Sequence, residues 1–297
     1  MKGIPMPRGQ TLFSFPNRQR SAPGTGLRLI ALLLGLLLCT TGCAAGDISP
    51  TANHEKELTG FLPVRDVPDS AALNRAPPAG TSAAFAADEE AYRATRKLRG
   101  TPRWDLARTD GDLRTAGAPH AFSCAIDAPI TAEATPRLFN LMARARIDAS
   151  RTVSRAKDQY PRTRPFIFYG DSTCAPADQI YLRRNGSYPS SHAAAGWMWA
   201  LILAEIVPDR AERIFERGIA FGESRMICGV HWQSDVNAGF ILGAAVTARL
   251  HGDPDFLKEL AAAREEISAA RAKGLKPSRD CKAEAAALRP PEPRIDR

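Results

Sequence analysis

Apolar residues along this 297-residue chain recur at three- and four-residue steps, and no convincing stretch alternates with a period of two. The first spacing lines up one face of a helix, whereas a half-buried strand needs the second. Leu138, Leu141, Met142, Ala145 and Ala149 predict a helix over 135–160, with Pro136 suited to its first turn and Pro161 and Pro165 closing it. Residues 192–207 are apolar on every side (Ala193, Trp197, Met198, Trp199, Leu201, Ile202, Leu203), which predicts a buried central helix ending at Pro208. An amphipathic helix follows over 210–221, an Ala- and Gly-rich apolar one over 230–250, and a surface-type helix over 255–273. Residues 82–113 read as helical with an interruption at Gly100 and Pro102. The expected fold is all-α, a single-domain helical bundle over 70–273. Residues 46–69 are expected as an extended lead-in, 170–188 as a long loop of the kind that carries function, and 274–297 as a loose tail.

The first 45 residues stand apart. Lys2, Arg8, Arg18, Arg20 and Arg28 precede an apolar run over 29–38 that is short for a bilayer, and small residues follow at 42–46. This is the layout of a secretory signal peptide, with cleavage expected after Ala44 or Ala45. Cys43 opens an alternative, a lipid anchor on that cysteine. The whole chain carries 40 basic and 32 acidic residues, a net +8. Setting aside five basic and no acidic residues leaves 35 against 32, or +3, so the charge belongs largely to the leader and argues for no nucleic-acid partner. Beyond residue 45 no apolar run demands an integral membrane segment.

Export changes how the cysteines read. Four follow the leader: Cys124, Cys174, Cys228 and Cys281. An even count in an oxidising compartment suggests two disulfides, whereas no zinc-ligand spacing is present. Three connectivities are open. Cys174 with Cys228 is favoured because both lie near segments whose chemistry must converge, which leaves Cys124 with Cys281.

Those segments are K-D-Q-Y-P-R-T-R-P from Lys157, P-S-S-H from Pro189, and S-R-M-I-C-G-V-H-W-Q-S-D from Ser224. His231 and Asp235, four apart on the helix expected there, share a face, so the carboxylate can orient the imidazole as a nucleophile. Ser190 or Ser191 suits a helix N-cap whose free N–H groups attract phosphate, and His192 can protonate a leaving oxygen. Lys157, Arg164 and Arg225 supply fixed positive charge. Each signal alone has an ordinary structural explanation. Their conjunction in three ordered clusters beside buried helices points to phosphoryl transfer.

The order K-x6-R-P, P-S-x-H, S-R-x5-H-x3-D resembles the signature of the type 2 phosphatidic acid phosphatase superfamily. The flanking residues of Arg164-Pro165-Phe166, Asn185-Gly186-Ser187-Tyr188 and Cys228–Asp235 resemble class A bacterial nonspecific acid phosphatases, with similarity from about Asp69 to Arg264. The resemblance implies a helical fold with the active site between central helices. It also implies hydrolysis of small phosphate monoesters without metal or other cofactor; the sequence leaves the oligomeric state open, a homo-oligomer included. By the same resemblance His231 attacks phosphorus, Asp235 orients it, and His192 serves as acid and then base. Lys157, Arg164, Ser190, Ser191 and Arg225 hold the phosphate. Ser191 stands where the commonest class A form has Gly; it keeps the backbone N–H but accepts fewer backbone angles. A lipid or isoprenyl phosphate phosphatase, a vanadate-dependent haloperoxidase and a non-catalytic phosphate binder are the competing readings.

Overall fold

The structure is a computed structural model that describes residues 58–113 and 118–289. The leader, its cleavage point and Cys43 lie outside the described residues. Twelve α-helices and no strand occur among those residues, which fits the all-α expectation. In chain order the helices are α1 (Ser70–Leu73), α2 (Ala83–Arg96), α3 (Pro102–Asp110), α4 (Ser123–Ile126), α5 (Pro136–Gln159), α6 (Pro165–Phe168), α7 (Gln179–Leu182), α8 (Ser191–Ile206), α9 (Ala211–Ile227), α10 (Gln233–Leu250), α11 (Pro254–Ala272) and α12 (Cys281–Leu288). No helix among the described residues is long and apolar enough to cross a membrane.

The all-round apolarity of 192–207 has a direct cause. Helix α8 is the axis of the bundle, packed by α9, α10 and α5 together. Ala193, Ala194, Ala195, Met198, Trp199, Ile202 and Leu203 are all removed from solvent, which supplies most of the local driving force. Two glycines of α10 permit the closest approach. A Cβ on Gly239 would lie 2.5 Å from the Ser190 carbonyl oxygen, and one on Gly243 the same distance from that of Ala194. Any larger residue would push α10 away from the start of α8. That junction is also hydrogen-bonded, with Ser190 N–H donating to the Asp235 carbonyl at 3.0 Å.

Helix α5 buries Leu138, Leu141, Met142, Ala145, Ala149, Val153 and Ala156 along one face, the stripe its sequence spacing predicts. Met142 carbonyl accepts from Trp199 Nε1 at 2.9 Å, fixing α5 against α8. The first N–H groups of α5 have no partner within the helix. Glu266 of α11 accepts from those of Arg137 and Leu138 at 3.1 and 2.9 Å.

Several boundaries differ from expectation. The segment before α1 is tied down: Phe61 and Leu62 are buried and their N–H groups donate to Asp148 of α5 at 2.8 and 3.3 Å. Helix α9 continues six residues past 221, so Arg225 lies on it. Helix α10 starts at Gln233, three residues later than the apolar pattern suggests, because Gly229 turns the chain with φ +76° and Trp232 is an extended N-cap. His231 is therefore on the loop before α10 and not on the helix. The stretch from 274, read as a loose tail, contains α12. It is capped by Asp280, buries Glu284 against Arg217 at 3.5 Å, and is joined to α4 by the Cys124–Cys281 disulfide. The stretch 170–188, expected as a continuous loop, contains α7, and the second bridge, Cys174–Cys228, links it ahead of α7 to the end of α9, so both pairs are the expected ones.

Candidate active site

Helix ends deliver the chemistry. Lys157 leaves the last turn of α5, Arg164 caps α6, and Ser190, Ser191 and His192 begin α8. Arg225 sits in the last turn of α9, and Asp235 is in the first turn of α10.

Lys157 and Arg164 meet at one acceptor, the Gly186 carbonyl, which takes Lys157 Nζ–H at 2.9 Å and Arg164 Nη2–H at 3.0 Å. Arg164 spends its other donors on three acceptors from two stretches of chain: Leu182 carbonyl at 3.0 Å, Asn185 Oδ1 at 2.6 Å and Val230 carbonyl at 2.9 Å. Its Nη1 also lies 3.1 Å from His231 Nε2. On the opposite wall, Gly111 carbonyl faces His192 Nε2 at 2.7 Å and Arg225 Nη1 at 3.5 Å. Arg225 is fully buried, and its Nε–H has no partner. A buried orphan donor of that kind is costly unless a ligand accepts from it.

Charge makes the same point. Burial, with the neighbouring Arg164 charge adding to it, pulls the Lys157 ammonium down to about 7. Burial likewise lowers Arg164 and Arg225 to about 10 each. Three cations crowded in a dry pocket are unfavourable by themselves and favourable around a dianion.

Both imidazoles are held well below the ordinary histidine range. For His231 the causes are burial, then the charges of Arg164, Lys157 and Arg225; for His192 they are burial, then Arg225. The Gly111 carbonyl works the other way on His192, favouring its protonated form. His231 Nδ1 lies 3.3 Å from Asp235 Oδ2, which also accepts the Trp232 N–H at 2.8 Å. That backbone contact is how a residue in the first turn of α10 reaches an imidazole on the preceding loop. Burial pushes the Asp235 carboxyl up, and the Arg162 charge opposes it.

Ser190 is buried and caps α8, its Oγ accepting from Ala193 N–H at 3.3 Å, so its hydroxyl hydrogen is available to a ligand. Ser191 takes the first position of α8. Among the described residues no group of three or more His, Cys, Asp or Glu is arranged to hold a metal ion.

The PAP2 superfamily model matches residues 139–256, which include all eight of these side chains. A non-specific acid phosphatase of Providencia stuartii is 44% identical over 201 residues, 67% of this chain and 81% of the relative. The chain belongs to the PAP2 superfamily, among its acid phosphatases. An acid phosphatase of Zymomonas mobilis is 37% identical over 237 residues, 80% of this chain and 90% of that one. A non-specific acid phosphatase of Salmonella typhimurium is 42% identical over 193 residues, 65% of this chain and 77% of that one. Among solved structures, a bacterial vanadium-dependent iodoperoxidase overlaps with TM-score 0.45 and 16% identity, over 62% of this chain and 52% of its own, too loosely to bear on chemistry.

Two parts of this PAP2 site are not evident from the sequence. Gly111, whose carbonyl meets His192, follows α3 and carries no side chain to attract notice. Arg162 lies inside the first motif segment, two residues before Arg164, and donates to Asp235 Oδ1 at 2.7 Å. Its only signal is a third basic residue between two prolines.

Proposed function

We propose that this PAP2 phosphatase hydrolyses phosphate monoesters of broad leaving-group type through a phosphohistidine on His231, without a metal. An imidazole nitrogen that accepts from Arg164 and lies among three buried cations is the observation that carries the reading. A dianionic phosphoryl group entering there accepts hydrogen bonds from Lys157, Arg164, Ser190 and Arg225, and the N–H of Ser191 at the α8 N-terminus adds to them. His231 Nε2 attacks phosphorus in line, and the ester P–O bond breaks. The leaving oxygen takes a proton from His192. Water then attacks the phosphohistidine as His192 accepts its proton, the P–N bond breaks, and inorganic phosphate leaves. Asp235 holds the Nδ1 proton throughout and offsets the positive charge of the phosphorylated ring.

The two disulfides and the signal-like leader support export to an oxidising compartment such as a periplasm. The test of function is turnover of p-nitrophenyl phosphate and a panel of nucleotide, sugar and lipid phosphates, before and after dialysis against a chelator. Turnover of soluble monoesters unaffected by chelation is expected; loss on chelation would demand a metal mechanism, and activity confined to lipid phosphates would demand a narrower substrate class.

A further inference from the structure

Asp235 is gripped on the side away from His231 by a buried polar group that lies outside the phosphate cradle. Arg162 Nη1 donates both to Asp235 Oδ1 and to Ser234 Oγ, each at 2.7 Å. Arg162 Nη2 donates to Asp88 Oδ2 at 2.7 Å. Asp88 also accepts from Ser234, at Oδ1 from the N–H (2.8 Å) and at Oδ2 from the hydroxyl (2.6 Å). The Arg162 side chain is 8% exposed and both carboxylates 2% or less, so the two ion pairs are shielded from water. The guanidinium lies 5.3 Å from the Trp232 ring and 5.9 Å from that of Phe85. The Arg162 carbonyl accepts from Ser187 N–H at 2.9 Å, which fixes its backbone as well.

Asp88 comes from the middle of α2, far from the motifs in sequence, and through it α2 is bound to the first turn of α10. The side chains of Asp88 and Arg162 spend these hydrogen bonds on each other, Ser234 and Asp235, and leave the cations that face the phosphate site to other partners. One cation between two carboxylates has a specific consequence. It opposes the burial that pushes the Asp235 carboxyl up, and it fixes the direction in which Oδ2 meets the imidazole.

We propose that Asp88, Arg162 and Ser234 form a clamp of positioning residues that holds Asp235 ionised and aimed, so that α2 sets the reactivity of His231. The proposal rests on the reading of His231 as nucleophile. Loss of the clamp charge favours protonation of Asp235, and the same change makes His231 easier to protonate by leaving a net negative charge nearby. The other ionisable groups around Asp235 are Lys157 from α5, Arg164 from the α6 cap, Tyr188 from the segment before α8 and His231 itself. All of them remain in the variants, so the displacement has one source.

The experiment compares Arg162→Met, Arg162→Lys and Asp88→Asn with the parent protein, using p-nitrophenyl phosphate. For Arg162→Met, kcat should fall about 10²-fold with KM little changed, as expected for a misaimed nucleophile in an intact cradle. The acidic limb of the kcat/KM profile should move to higher pH. Asp88→Asn removes a negative charge and leaves Arg162 to Asp235 alone, so it should move the limb the opposite way, to lower pH, with a smaller loss of kcat; Arg162→Lys, which keeps the charge, should return the limb close to its parent position. A merely structural defect lowers the active fraction without moving the limb, so an unmoved limb in Arg162→Met and Asp88→Asn overturns the proposal. If Arg162→Met does not fold, the near-isosteric Asp88→Asn and the charge-keeping Arg162→Lys decide the matter by the same limb. Acid-labile phosphoenzyme from the parent protein separates the two levels: its absence removes the nucleophile reading, and its presence with an unmoved limb removes the clamp alone.

Discussion

Nη1 of Arg164 lies 3.1 Å from Nε2 of His231. A guanidinium has donors and no acceptor, so that ring nitrogen must be the acceptor and the ring proton must sit on Nδ1, towards Asp235. One side chain therefore selects the tautomer and marks where an anion will lie. The geometry of the two neighbours, and not the family pattern alone, identifies the nitrogen free to attack phosphorus in the proposed mechanism.

Replacement of Arg164 should accordingly be severe and should not be rescued by lysine. The fork reaches Leu182, Asn185, Gly186 and Val230 at once, and an ammonium cannot reproduce that fan. Arg164→Lys and Arg164→Ala should each lower kcat/KM by about 10²–10³-fold. Steady-state kinetics checks this, and a loss of less than about tenfold in the lysine variant would remove Arg164 from the cradle.

Lys157 makes the cradle pH-sensitive in a defined window. Its ammonium is pulled to about 7, chiefly by burial, so it is charged below that pH and neutral above. An anion prefers the charged form, so binding must weaken as pH rises. Sulfate, whose own charge does not change in this range, is the suitable probe. Through Lys157 its inhibition should weaken about tenfold per pH unit above 7, and Lys157→Arg should remove one proton from that dependence. An unchanged slope in the variant would contradict the assignment.

His192 should betray itself through two pH profiles. In the free protein burial and the Arg225 charge hold it well below the usual histidine range. A bound dianion offsets Arg225 and Arg164 and favours the protonated, acid-competent ring. In the proposed mechanism activity needs that proton, so it is lost as pH rises through the relevant value. The basic limb should thus lie at lower pH in kcat/KM, which reports the free protein, than in kcat, which reports the complex. Coincident limbs would count against His192 as the acid.

Much of the architecture is readable from sequence because it rests on local pattern. The apolar stripe of α5 and the all-round apolarity of α8 are properties of consecutive residues, and proline marks their ends. The position of His231 is not readable, because the start of α10 depends on Gly229 turning the chain and on Asp235 folding back to the Trp232 N–H. Asp88 is invisible for a different reason. It looks like any acidic residue on an amphipathic helix, and only the tertiary fold brings it to Arg162. Helix α12 is short and Ala-rich, and what orders it is a distant cysteine and the Arg217 guanidinium.

That dependence is itself testable. The Cys124–Cys281 bridge spans 157 residues, so its removal frees a long loop in the unfolded chain and loosens α12 from α3 and Arg217. The double variant Cys124→Ser, Cys281→Ser should lose about 2–5 kcal/mol of stability in denaturant titrations, and limited proteolysis should cut first before α12. Unchanged stability under oxidising conditions would show that packing alone holds the helix.

The proposed chemistry stands or falls on a covalent bond between phosphorus and Nε2 of His231. Rapid acid-free quenching during turnover of a radiolabelled monoester, followed by peptide mapping, looks for that bond itself. The expected result is an alkali-stable, acid-labile label on the peptide containing His231, absent from His231→Ala, which should also be inactive. A label on another residue, or near-normal turnover by His231→Ala, would contradict it.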